Sequence, residues 1–158
     1  MKSSISILAV VIFCCILLPA NAEPGSGSSQ EALRMSIVNT AKKYLGIRYN
    51  YGGMNEAGFD CSGFVRFVYK RNGIILPRTT AGQFEQGTKI DLAQASAGDL
   101  VFFKIDGEKI SHVGIVINTR EFIHAPSTGK QVTIEKIDTE YWRKRFAGAV
   151  TYINKVLQ

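Results

Sequence analysis

Cys61 stands in the stretch Gly58-Phe59-Asp60-Cys61-Ser62-Gly63-Phe64, between two glycines and directly after an acid. A cysteine serves as a small core side chain, half of a disulfide, a metal ligand or a nucleophile. The nucleophilic use requires a base within hydrogen-bond reach. The 158-residue chain has two histidines to offer, His112 and His124. Zinc could also use one Cys and two His. These three come from separate segments, however, and lack the paired C-x-x-C or H-x-x-x-H spacing of structural zinc sites, so no metal is expected. Asp91, Asp99 and Asp106 sit in turn contexts, as solvated acids do, and suggest no paired-carboxylate chemistry.

The other two cysteines, Cys14 and Cys15, lie in an apolar run from Ile5 to Leu18 that follows Lys2 and precedes Ala20-Asn21-Ala22. A basic start, a short apolar stretch and a small-x-small cleavage pattern read as a secretory signal over residues 1–22. The run is shorter than the roughly 20 residues of a spanning helix. Phe13 and Cys14 stand where a lipid-attachment site wants small residues. The expectation is therefore an exported protein, periplasmic or extracellular, with no stable membrane anchor after cleavage. Cys61 is then the lone thiol, no internal disulfide can form, and a free reactive cysteine is indicated. The net charge of +6 suits an anionic partner, but no dense Lys/Arg run with interleaved aromatics points to nucleic acid.

The elements that must position these residues follow from periodicity and punctuation. Residues 23–29 are Gly/Ser/Pro-rich and read as a flexible leader, leaving one domain over 30–158. Ser28 and Glu31 make a capping box for a helix carrying Leu33, Ile37, Ala41, Tyr44 and Leu45 and closing at Gly46. Tyr49 to Gly58 is a loop. Asp60 caps a second helix from Cys61 to Asn72, in which Gly63 marks the close approach of another backbone or a ligand. A short helix over 80–85 follows. Strands are predicted over 99–104, 112–117, 121–125, 132–136 and 149–153, with a short helix over 142–146. Helices first and strands afterward indicate an α+β fold, with helices packed on one face of an antiparallel sheet.

The pairing of the two histidine strands can be worked out from loop length. If Asn118-Thr119-Arg120 is a three-residue hairpin loop, Ile117 faces Glu121 and Gly114 faces His124. His112 and His124 then share a face as diagonal neighbours, and a loop of two or four residues would separate them. Gly114 opposite His124 would leave room for the helix carrying Cys61 to approach there. On this reading His112 is the general base and His124 the group that holds its tautomer. Cys61, in the first turn of its helix, would meet free N–H groups and the positive end of the macrodipole. These favour a lowered thiol pKa and could stabilise a tetrahedral oxyanion.

The segments RYNYGG, GFDCSGFVRFVY, LPRTTAGQ, AGDLVFF and SHVGIVI, in this order, resemble the NlpC-type cysteine peptidases of bacterial cell walls, which are papain-like in fold. The resemblance implies a Cys-His-polar triad at Cys61, His112 and His124. It also implies substrate-binding roles for Tyr49, Asp60 and Ser62, and no cofactor. It implies hydrolysis of peptidoglycan stem peptides, at the D-glutamyl–diamino acid bond or the cross-link, through a thioester. An acyltransferase or lipid-directed thiol enzyme, and a non-catalytic wall-binding module, are the other uses of such a fold. Neither a lipid anchor nor a separate wall-binding domain is read here. Targeting is expected from the domain's own surface, its positive charge or a partner protein.

Overall fold

The computed structural model describes residues 26–153. The signal read at 1–22 and the first residues of the leader lie outside the described residues. The chain runs α1 (Ser26–Lys42), β1 (Met54–Asn55), β2 (Gly58–Phe59), α2 (Cys61–Arg71), α3 (Thr80–Gln86), β3 (Thr88–Ile90), β4 (Leu100–Phe103), β5 (His112–Val116), β6 (Glu121–His124), β7 (Thr133–Lys136), α4 (Glu140–Arg145) and β8 (Phe146–Thr151). Residues 26–29, expected in the leader, form the first turn of α1. That helix stops at Lys42, and the chain leaves it through turns to Gly46, whose φ of +84° only glycine adopts without strain.

β3 to β8 form one antiparallel sheet in the order β3-β8-β4-β5-β6-β7. Two departures from expectation follow from long-range pairing. The segment 49–58 contains a miniature hairpin in which Met54 pairs with Phe59 and Asn55 with Gly58. β3, too short and polar to announce itself, exists because Thr88, Lys89 and Ile90 pair with Thr151, Val150 and Ala149 of β8.

Alternation along each strand divides the apolar residues between two cores. Leu100, Phe102, Val113, Ile115, Ile123 and Val150 face one way. They pack against Ile37 and Ala41 of α1 and Phe64, Val65 and Val68 of α2. Val101, Phe103, Val116 and Phe122 face the other way, where Trp142 of α4 covers them. The sheet is thus covered by α1 and α2 on one side and by α4 on the other. Burial of each large apolar side chain contributes about 1.5–3 kcal/mol.

α2 forms where the sequence places it. Asp60 has extended dihedrals and its Oδ1 accepts the Gly63 N–H at 2.7 Å. Apolar residues at helical spacing then supply a buried face. The end is set by Asn72, whose side-chain amide donates to the Val68 carbonyl at 2.8 Å.

Candidate active site

Cys61 is the first residue of α2 and is 9% exposed. Its sulfur lies 3.8 Å from Thr80 Oγ1 and 3.8 Å from the carbonyl oxygen of Ser111, and it receives the backbone N–H groups of Ser62 and Val113. It therefore rests against the strand backbone on both sides of His112, the first residue of β5. Among the described residues no hydrogen bond joins the sulfur to an imidazole in this resting geometry. Burial pushes the thiol pKa up, as does the Asp60 charge, while Thr80 and the two N–H groups oppose them.

The two histidines meet as the loop length requires. Ile115 pairs with Ile123 and Val116 with Phe122, and Ile117 N–H donates to the Glu121 carbonyl at 2.9 Å. His112 Nε2 and His124 Nδ1 are 2.6 Å apart, with both rings buried. Burial, and secondarily His124, push the His112 pKa down to about 3, and burial lowers that of His124. The other ring nitrogen of His124, Nε2, lies 3.4 Å from Glu135 Oε1. Glu135 Oε2 accepts the Trp142 indole N–H at 2.5 Å. These contacts, the one to His124 foremost, hold the Glu135 carboxyl at about 2 against the opposing effect of burial. Trp142 stacks on His112 with centroids 5.7 Å apart and meets His124 edge-on at 5.3 Å.

On the other side of the sulfur, Asp60 is fully engaged. Oδ1 accepts from Gly63 N–H, from Ser62 Oγ at 3.3 Å and from Arg78 Nη1 at 3.1 Å. Oδ2 accepts from Gly52 N–H at 3.0 Å and Arg78 Nη2 at 2.5 Å. Ser62 Oγ also accepts from Arg78 Nη1 at 2.9 Å. Tyr49 is half-buried. Burial raises its pKa, and the nearby charges of Cys61 and Asp60 add to the rise. Tyr49, Asp60, Ser62 and Cys61 are thus brought together around the N-terminus of α2. Among the described residues no group of three His, Cys, Asp or Glu side chains could hold a metal ion.

The sequence pattern of the NlpC/P60 family matches residues 46–151. The chain belongs to that family. It is 36% identical over 119 residues to a gamma-D-glutamyl-L-lysine dipeptidyl-peptidase of Bacillus cereus, covering 74% of this chain and 36% of that protein. It is 37% identical over 147 residues to a probable endopeptidase NlpC of Escherichia coli, covering 85% of this chain and 95% of that one. The crystal structure of an NlpC/P60 family protein from Bacillus cereus superimposes with a TM-score of 0.73 at 34% identity, over 76% of this chain and 40% of its own. The chain thus spans little more than a third of the Bacillus cereus peptidase and almost all of the Escherichia coli protein. The α+β, papain-like fold read from the sequence is the NlpC/P60 fold.

Three details of the sequence reading are corrected. Helix α2 does not approach at Gly114. It packs on the opposite face of the sheet, against Val113 and Ile115, and the space at Gly114 is filled by Phe122, whose Cδ2 would stand 2.4 Å from an added Cβ. The sulfur instead lies against the backbone of Ser111 and Val113, on either side of His112 at the start of β5. The expected lowering of the thiol pKa is not found, because burial outweighs the helix end. Asp99 is not solvated: it is 1% exposed, paired with Arg34 Nη1 at 2.9 Å, and accepts the Ser96 N–H at 2.8 Å.

Two residues of this NlpC/P60 site escaped the sequence reading. Arg78 lies in the quoted LPRTTAGQ segment, but nothing local says that it folds back onto Asp60. Glu135 was readable in principle. It occupies an expected strand and pairs with Phe122, so alternation puts it on the histidine face. The eight residues separating β6 from β7 leave that register unreadable from loop length.

Proposed function

We propose that this NlpC/P60 chain is an exported thiol endopeptidase that hydrolyses amide bonds in peptidoglycan stem peptides, with Cys61 as nucleophile, His112 as general base and His124 as its orienting partner. The observation that supports this most is the placement of the Cys61 sulfur against the backbone flanking His112, while the far nitrogen of that ring is engaged by His124 at 2.6 Å. With Nε2 so occupied, Nδ1 is the nitrogen left to take the thiol proton.

Burial disfavours both the thiolate and the imidazolium, so the resting pair is neutral and the proton moves as the sulfur attacks. Catalytic hydrogen bonds that are open without substrate close in the complex. Attack on the carbonyl carbon gives a tetrahedral oxyanion, for which the Cys61 N–H at the start of α2 is the nearby donor, the Gly63 and Phe64 N–H groups being taken by Asp60. His112 then protonates the leaving amine, and a water deprotonated by His112 attacks the thioester, releasing the carboxylate and regenerating the thiol. Tyr49, Ser62 and Arg78, gathered near the start of α2, contact the stem peptide. Asp60, whose oxygens are already taken, shapes that region by holding Gly52, Gly63 and Arg78.

The Bacillus cereus relative is named for a gamma-D-glutamyl-L-lysine bond. A bond between D-glutamate and the diamino acid is accordingly the first to test, with the cross-link second. The substrate lies outside the cytoplasm, in keeping with the signal read at 1–22. Incubation of mature protein with purified peptidoglycan, followed by mass spectrometry of the muropeptides, should show new stem-peptide termini that Cys61→Ala does not produce. Equal binding by both proteins with no cleavage would sink the proposal and favour a wall-binding module.

A further inference from the structure

We infer that Glu135 is a positioning residue that fixes the proton arrangement of the histidine pair, so that His112 presents a bare Nδ1 to Cys61. This rests on the thiol-peptidase reading of the site.

Two ring nitrogens 2.6 Å apart must share one hydrogen, and geometry alone does not say which ring carries it. The far end decides. A carboxylate can only accept, and Glu135 Oε1 lies 3.4 Å from His124 Nε2, an enclosed nitrogen that has no hydrogen bond closer than this. The hydrogen of neutral His124 therefore sits on Nε2, and its Nδ1 is a lone pair. His112 must then donate from Nε2, which leaves its Nδ1 without a hydrogen. A doubly protonated His124 would put a cation in a wholly buried ring, which desolvation opposes.

Trp142 makes the arrangement rigid. Its indole N–H holds the other carboxylate oxygen while its ring packs on both imidazoles. The carboxylate also borders a hollow of about 270 Å³ between Ile105, Pro126, Lys130 and Tyr141, so small solutes can approach it from outside. Lys130 is the other charged group there, and its ammonium favours the ionised form.

The decisive variant is Glu135→Gln. Trp142 can donate only to the carbonyl oxygen of the amide, which turns the NH₂ toward His124 Nε2. That nitrogen must then accept, the hydrogen of His124 moves to Nδ1, and His112 is driven to carry its hydrogen on Nδ1, where it blocks the base. The kcat on peptidoglycan is expected to fall roughly 100-fold, the order of general-base catalysis, with KM little changed. Glu135→Asp should retain part of the rate. Glu135→Ala should regain activity with added formate, which enters through the hollow, in a concentration-dependent way.

Nitrogen-15 NMR of the histidine rings reads the tautomers without substrate. The wild type is expected to show His112 protonated on Nε2 and His124 on Nε2, and Glu135→Gln to show both protonated on Nδ1. Unchanged tautomers, or a Glu135→Ala defect that formate does not relieve in a protein with native circular dichroism, would overturn the inference. Failure of the wild type to cleave peptidoglycan would instead count against the functional reading, and the tautomer measurement would still decide the role of Glu135.

Discussion

The planes of the His112 and His124 rings stand 86° apart, so that Nε2 of one points into the edge of the other at 2.6 Å. Both rings are enclosed, and neither can take up a proton without charging the interior.

That enclosure makes stability acid-sensitive. His112 is moved from 6.5 to about 3 in the folded protein. Below pH 6.5 the unfolded chain binds a proton that the folded chain refuses, so the contribution is fully present above that value and is lost as pH falls toward about 3. The loss approaches about 1.4 kcal/mol per pH unit for each histidine so shifted. Thermal melts taken at successively lower pH should show Tm falling below pH 6.5, with a shallower fall in His112→Gln. Parallel curves for the two proteins would refute the assignment.

The thiol is expected to titrate high. Burial raises it and Thr80 partly offsets that. Iodoacetamide labelling of the mature protein should therefore rise with a midpoint above the roughly 8.5 of a free cysteine. Thr80→Val should move the midpoint higher still, by removing the hydroxyl. A midpoint below that of free cysteine would mean a preformed thiolate, and the proton would then move before attack rather than with it.

Gly63 is a packing requirement within a helix. A Cβ there would lie 2.1 Å from the Gly53 carbonyl oxygen and 2.9 Å from Asp60 Oδ1. The usual gain of about 1 kcal/mol for Gly→Ala in a helix should be reversed at this position. Gly63→Ala is expected to unfold at lower urea and to lose peptidase activity. Gly27→Ala in α1, where nothing lies within 4 Å, should instead be neutral or stabilising. Equal responses at the two sites would remove the close-approach argument.

Arg34 and Asp99 tie α1 to the turn before β4. Arg34→Met would leave a 1%-exposed carboxylate with the Ser96 N–H but no cation. Removing one partner of a buried pair costs about 3–5 kcal/mol. Urea denaturation should show a loss of that order, part of which Arg34→Met combined with Asp99→Asn recovers. A double variant no more stable than the single one would argue against charge burial as the cause.

Much of the site was readable because it is governed by local rules. Asp60 caps α2 through contacts three residues apart, and the close approach of a backbone or a ligand that Gly63 marks is made by the Gly53 backbone. The shared face of His112 and His124 follows from the parity of a three-residue loop, since side chains alternate with period two. Asp99 was misjudged because its partner Arg34 is 65 residues away, and a turn context says nothing of what covers it.

The sequence by itself thus determined the order of the four helices and of β4 to β8, the helix start that carries the cysteine and the pairing of the two imidazole strands. Each depends on neighbours within one turn or one hairpin. Only the tertiary structure decided that α2 lies on the opposite face from those rings, that the sulfur rests on the backbone either side of His112, and that Glu135 and Trp142 stand at the far end of the histidine pair. Those outcomes depend on how two apolar cores divide across a sheet, and on a register set beyond the reach of any single turn.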